Sequence, residues 1–301
     1  HGRDESPFDV PPPDAVHTDA PDQTKAAAAV TTAAATSASR RVRARLARRM
    51  TSQRGALNPV LEPLVAVHRD PQSNLQRYQQ LATQLVRDDK VNVIFGCYLS
   101  STRKAVIPVV EKWNRLLFYP TLYEGFEFSN NVIYTGAAPN QNSVLLADHM
   151  TQHFGPRVYM VGSDYIYPYE SNRLMSDFVL TRPGGTKVGE RYVRLDATEK
   201  DFQPIIKEIL DKQPDFIFST VVGAGTRLLY QAYAEAGLDP RRMPIASLTT
   251  CEVECAEMGV SVAQGHITAA PYFQSLGSEL NRQCLARFKA HLFQQLAGGG
   301  D

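Results

Sequence analysis

The chain has 301 residues, 43% of them hydrophobic, and a net charge of +1. That length permits two domains or lobes of ordinary size, and the near-neutral charge gives no global pull toward nucleic acid or a membrane surface. The four cysteines, at positions 97, 251, 255 and 284, form no CxxC pair, which argues against a disulfide framework and fits a reducing compartment.

Residues 1–56 read differently from the rest. His1–Gln23 is acidic and Pro-rich, Lys25–Ser39 is almost entirely Ala, Thr and Ser, and Arg40–Arg49 holds six arginines in ten positions. Such a stretch buries too little apolar surface to offset chain entropy, so it is expected to be a low-complexity, largely disordered leader. A short basic helix is expected at Ser39–Met50. The arginines read first as a solvated arm, with nucleic-acid or membrane-surface contact and a transit peptide as alternatives. A secretory signal is not visible, although a processed chain would look the same. No run of about 18 apolar residues predicts a transmembrane helix.

From about Gly55 a regular alternation begins. Strands are predicted at Val60–Val67, Val91–Gly96, Leu116–Tyr119, Val132–Tyr134, Val158–Gly162, Lys187–Val193, Phe216–Val222, Ile245–Leu248 and His266–Ala270. Amphipathic helices are predicted at Ser73–Arg87, Ser101–Asn114, Asn140–Phe154, Tyr169–Leu180, Asp201–Lys212, Gly225–Ala236 and Glu279–Leu296. On the first, Leu75, Tyr78, Leu81, Leu85 and Val86 fall on one stripe. Pro204 falls in the first turn of its helix and Gly237 stops the next one. Strands alternating with such helices give βαβ units and mostly parallel sheets. One α/β set precedes about residue 138 and another follows it. The expected organisation is therefore a first lobe over residues 57–138, a second over 139–267, and a return to the first over 268–301.

Three segments carry the chemistry: GCYLSSTRKAV (Gly96–Val106), FYPTLYEGFE (Phe118–Glu127) and GSDYIYP (Gly162–Pro168). In each, an apolar run stops and a cluster of Tyr, Ser, Thr, Pro and Gly begins. That junction is the carboxyl end of a strand, where open α/β sheets bind ligands. Tyrosine supplies a flat apolar wall and one hydroxyl, which suits a small, neutral, polar molecule. Ser100, Ser101 and Thr102 can cap the following helix, and a ligand carbonyl could accept from the Ser100 hydroxyl. Arg103 and Lys104 are expected to face solvent or an acid, and Glu124 and Glu127 to act as loop-stabilising acceptors. Tyr165 and Tyr167 share a face if extended, and Asp164 can cap the next helix.

Catalytic and metal readings are weaker. Cys97 sits near a helix N-terminus, which can lower a thiol pKa, but no histidine stands at a recognisable dyad spacing. A buried inert thiol is the expectation. Cys251, Cys255 and His266 lack the further ligands of a zinc site, and His149 and His153 lack the intervening glutamate of a zincin. No Walker loop and no G-x-G-x-x-G occurs, so no cofactor and no metal is expected.

Taken in order, Gly96–Val106, Phe118–Glu127, Tyr134–Asn142 (YTGAAPNQN), Gly162–Asn172, Phe218–Thr226 and Pro244–Thr250 resemble the amide/urea-binding branch of the type I periplasmic-binding-protein family. With Thr121-Leu122 and GSDYIYP in place of the urea-transporter variants, the chain is more similar to the amide sensors that regulate aliphatic amidase expression. The resemblance implies a two-lobed Venus-flytrap fold with parallel sheets and no catalysis. It implies closure on a small aliphatic amide or urea in the interlobe cleft. Tyr98 and Ser100 would contact the ligand, Tyr119, Pro120 and Thr121 would line the wall, and Tyr165 and Tyr167 would close from the second lobe. Val221 and Thr249 are further implied contacts. The implied partner is an RNA-binding antiterminator in a cytoplasmic sensor. The alternative is an ABC permease served by a periplasmic transporter component. No direct nucleic-acid contact is expected of the core. The family's opening central strand and its C-terminal tail have no counterpart here, so the fold is expected to be incomplete. The leader then reads as a frameshifted or misassembled segment, or as a genuine extension.

Overall fold

The computed structural model of the protein describes residues 65–297. Residues 69–290 form one compact unit. Within this unit, α1 (Leu75–Arg87), β1 (Val93–Phe95), α2 (Ser100–Lys112), β2 (Leu116–Tyr119) and β3 (Val132–Tyr134) come first. They build a three-stranded parallel sheet of order β1-β2-β3. After a single 3-10 turn at Pro139–Gln141 come α3 (Ser143–His153), β4 (Arg157–Ser163), α4 (Ile166–Leu180), β5 (Thr186–Val193), α5 (Glu199–Lys212), β6 (Phe216–Thr220), α6 (Ala224–Glu235), β7 (Ile245–Ser247), α7 (Glu252–Met258), α8 (Val260–Ala263), β8 (Ile267–Thr268) and α9 (Glu279–Ala297). The second sheet is parallel throughout, in the order β5-β4-β6-β7-β8.

The period of two along each strand sorts the core. In β4, Val158 and Met160 face one side with Phe216 and Phe218 of β6, packing against Leu146, Met150, Met175 and Val179 from α3 and α4. Tyr159 and Val161 face the other side with Ile217, against Phe202, Ile205, Ile209 and Leu229 from α5 and α6. Both faces are apolar, so these strands read as continuous hydrophobic runs, as buried parallel strands do. The first sheet packs Ile94, Leu117 and Val132 against Val106, Val109 and Val110 of α2 and Ala82 and Val86 of α1. On α1 the stripe turns out to be centred on Ala82 and Val86, while Leu75 is 47% exposed.

The predicted strands and helices from Val91 onward match the observed ones to within a few residues, and α7 and α8 are additional. The leader over 1–56, its basic helix and residues 60–64 of the first predicted strand lie outside the described residues, and residues 65–67 are not in a strand. Helix α5 begins at Glu199, so Pro204 stands in its second turn rather than its first. The earlier start follows from Thr198, whose N–H donates to the Asp201 carboxylate at 2.7 Å. That is one half of a capping box. Gly237 takes φ +68° just past α6, the left-handed conformation of a helix stop.

Candidate functional site

The end of β1 leads through Gly96–Leu99 into α2. The N-cap is Leu99, with no capping side chain. Its carbonyl instead accepts from the Thr102 and Arg103 amides and, at 2.6 Å, from the Thr102 hydroxyl. Ser100 is therefore not the cap that its position predicts. It is the first helical residue, 1% exposed, and its hydroxyl donates to Glu124 Oε2 at 2.8 Å. That proton is committed, so donation from Ser100 to a ligand carbonyl is corrected. The Tyr98 carbonyl accepts from the Tyr119 hydroxyl at 2.9 Å and from the Thr121 hydroxyl at 3.0 Å. The Tyr98 ring is 70% exposed, whereas Tyr119 is buried. Pro120, which follows Tyr119 in the chain, is exposed. Gly136 permits this wall, because a Cβ there would fall 1.8 Å from the Thr121 carbonyl oxygen.

Behind the wall lies a buried ion cluster. The Arg103 guanidinium is fully buried and bonds Glu124 at 2.5 Å and Glu127 at 2.6 Å. Lys104 adds a second cation on Glu127 at 2.9 Å. The rings of Tyr119, Tyr123 and Tyr134 surround Arg103 at 4.7, 5.4 and 5.5 Å. Burial works against the guanidinium's charge, but the two carboxylates outweigh it and hold the Arg103 pKa above its ordinary value. Burial pushes the Glu127 carboxyl up, yet hydrogen bonds from Tyr134, Arg103 and Lys104 bring it below the usual range. The expectation that Arg103 and Lys104 face an acid holds for both. A solvated position for Arg103 does not, because it lies on the apolar stripe that includes Val106 and Val110.

In the second sheet β4 ends at Ser163, and Tyr165 is the N-cap of α4 without a side-chain cap. Asp164 accepts from the Tyr169 hydroxyl at 2.7 Å rather than capping the helix. Tyr165 is extended and Tyr167 helical, so their shared face comes from the helix start. Their rings lie 6.3 Å apart. The Tyr167 hydroxyl is buried and has no hydrogen-bond partner among the described residues. Burial raises its pKa, and the nearby Ser171 hydroxyl eases that rise without completing a hydrogen bond of normal geometry. Asn172 is fully buried, and its Oδ1 accepts from the Thr220 hydroxyl at 2.8 Å. The Val221 side chain lies in the core against Phe202 and Gly225, and its carbonyl accepts from Thr226 at 2.9 Å and Thr249 at 2.8 Å. Val221 thus offers a cleft no side chain, and Thr249 spends its proton on Val221.

Tyrosines at the ends of the two sheets influence one another electrostatically. Burial first, then the neighbouring Tyr167, Tyr98, Tyr119 and Glu124, push the Tyr165 phenol well above its ordinary pKa. The Tyr167 phenol feels Glu124, Tyr119 and Tyr98 in the same way. The strand ends are further tied by Arg173 of α4, which stacks 3.8 Å over the Phe126 ring. A shallow hollow of about 360 Å³ beside Gln79, Gln80, Thr83, Gln84 and Arg87 involves none of these segments. Sequence reasoning missed the pairing of Glu124 with Ser100. The available signal was an arginine on an apolar helix stripe with two glutamates three residues apart downstream.

The other candidates form no reactive centre. Burial pushes the Cys97 thiol up to about 12, against the opposing pull of Thr102 and Arg103. Burial and Glu254 push Cys251 up to about 12 as well. His266 Nδ1 accepts from the Ile245 amide at 2.9 Å, and burial lowers its pKa to about 4. The His149 and His153 rings stack at 4.2 Å. Among the described residues no group of three His, Cys, Asp or Glu side chains could hold a metal. None of the described helices is long and apolar enough to cross a membrane.

Both sheets are parallel, and the carboxyl ends of β1, β2 and β4 lead into segments rich in Tyr, Ser and Thr, the position at which open α/β sheets bind ligands. The chain belongs to the periplasmic binding protein domain family, whose model matches residues 29–297. Among solved structures it is similar to an ABC-transporter solute binding protein from R. palustris in complex with 4-hydroxybenzoate. That match has 25% identity and a TM-score of 0.65, and covers 78% of this chain and 62% of that one. It is also similar to a periplasmic binding protein from Burkholderia mallei, at 16% identity and a TM-score of 0.67, over 83% of this chain and 66% of that one. An amino acid ABC transporter substrate-binding protein from Pseudomonas fluorescens Pf-5 matches at 18% identity and a TM-score of 0.62, over 80% and 65%. The last two likenesses concern the fold alone. Two curated relatives match a short stretch, namely the "Probable GTP pyrophosphokinase" of Mycobacterium bovis, 66% identical over 53 residues, and that of Mycobacterium leprae, 67% identical over 46. Those stretches are 16% and 15% of this chain, and the chain spans only 7% and 6% of those relatives.

Proposed function

We propose that this chain is a solute-binding component of an ABC transporter. Its ligand would be a small uncharged polar molecule, urea or a short aliphatic amide, held between the ends of the two sheets. One observation carries the reading. The Tyr167 hydroxyl is buried without a partner, beside a wall of hydroxyl oxygens from Ser100, Tyr119 and Thr121. A buried unpaired hydroxyl costs roughly 1–3 kcal/mol, and a ligand acceptor would remove that cost. Tyrosine faces would enclose the ligand's apolar end. Family membership and the names of the similar structures favour a transporter component, outside the cytoplasm and served by a permease, over a cytoplasmic amide sensor with an antiterminator partner. The sensor reading rests on Thr121-Leu122 and the GSDYIYP segment alone.

The test is isothermal titration of the full chain with urea and with acetamide, alongside Tyr167→Phe. Saturable binding is expected, weakened at least about tenfold in the variant, whose unliganded form is as stable as the parent or about 1 kcal/mol more stable. Binding of branched-chain amino acids alone, or a Tyr167→Phe variant with undiminished affinity, would overturn the reading.

A further inference from the structure

The polar hydrogens of the cleft are unevenly placed. On the first-sheet side the hydroxyl protons of Tyr119, Thr121 and Ser100 are each committed to a protein acceptor. Tyr119 and Thr121 donate to the Tyr98 carbonyl, and Ser100 donates to Glu124. A hydroxyl that donates inward presents only lone pairs outward. The charges on this side also balance. Arg103 serves Glu124 and Glu127, and Lys104 serves Glu127, so two cations meet two carboxylates. On the second-sheet side Tyr167 holds an unassigned proton in a buried position, 6% exposed. Tyr165 beside it makes no hydrogen bond through its hydroxyl among the described residues.

We propose that Glu124 is the specificity-determining residue of this cleft. By taking the Ser100 proton it leaves the Ser100 hydroxyl with only lone pairs to offer, beside the Tyr119 and Thr121 hydroxyls that are already committed. The ligand then docks with its N–H groups toward Ser100 and its acceptor oxygen toward Tyr167, and carboxylates of the same size are rejected. This rests on the reading of the cleft as the ligand site. Replacing the –NH2 of acetamide by the –O⁻ of acetate sets lone pairs against lone pairs and adds an anion where both cations are already paired. A site whose buried polar groups are left unmatched discriminates strongly. Glu124 is a positioning residue in this scheme, because it acts through Ser100.

The experiment compares acetamide and acetate affinities in the full chain. The parent is expected to prefer acetamide by at least about a hundredfold. In Glu124→Gln the side-chain amide can donate to Ser100 and free its proton for the ligand, so the preference should narrow at least about tenfold through a gain for acetate. Glu127→Gln removes the same charge from the same arginine without touching Ser100, and its preference should match the parent. Ser100→Ala keeps the ion cluster and should also narrow the preference, which guards against a poorly folded Glu124 variant. A parent that binds acetate within tenfold of acetamide overturns the proposal, as does a Glu127→Gln variant that narrows the preference as far as Glu124→Gln. Both results leave the cleft reading standing if Tyr167→Phe still weakens binding. A parent that binds neither compound overturns both.

Discussion

Arg103→Met would remove the centre of the buried ion cluster. The guanidinium is fully buried and its Glu124 partner is 1% exposed at the side chain. It makes three bonds to carboxylates, at 2.5 and 3.3 Å to Glu124 and 2.6 Å to Glu127. Without it Glu127 keeps Lys104 and Tyr134, but Glu124 keeps only the Ser100 hydroxyl. A buried charge stripped of its partner costs about 3–5 kcal/mol. With a urea slope near 3 kcal/mol/M for a chain of this size, the midpoint should fall by about 1–2 M. Arg103→Lys keeps the charge without the fork and should recover only part of that loss. The double variant Arg103→Met with Glu124→Met removes both charges and should be more stable than Arg103→Met alone, giving a coupling of about 2–4 kcal/mol in the cycle. Urea denaturation followed by circular dichroism provides the assay. A loss under about 1 kcal/mol with an unchanged slope would refute the view that this cluster organises the wall.

Other consequences are open to direct measurement. His266 has a folded pKa near 4 against an ordinary 6.5, so the unfolded chain binds more protons between those values. Stability should be full above about pH 6.5 and fall by up to about 3 kcal/mol as the pH drops toward 4. A His266 resonance that titrates near 6.5 would contradict this. Burial holds Cys97 protonated at neutral pH, so a thiol reagent at pH 8 should label the exposed Cys284 much faster. Mass mapping that finds Cys97 modified as fast as in denaturant would count against its inertness. Gly136→Ala drives a methyl into the Thr121 carbonyl, and such overpacking should cost about 1–3 kcal/mol. A thermal melt indistinguishable from the parent would show that the segment can yield.

Much of the fold from Val91 to Ala297 was legible in the sequence. Buried parallel strands announce themselves as apolar runs, as Val-Tyr-Met-Val does at 158–161, and period-3.6 stripes with Gly237-type stops delimit the helices between them. The short α7 and α8 escaped because seven and four residues carry too little periodicity. Pro204 was placed a turn too early because the Thr198 and Asp201 pairing extends α5 backward. At the strand ends, residue type singled out Tyr98, Ser100, Tyr119, Thr121, Tyr165 and Tyr167 as candidates, since clustered hydroxyls are local features of the chain. The direction in which each hydroxyl donates is not local. It depends on an acceptor brought from elsewhere, as Glu124 is brought to Ser100 across 24 residues. The burial of Arg103 among three rings and the withdrawal of the Val221 side chain into the core have the same origin, because contacts between distant segments exist only once the sheets have assembled.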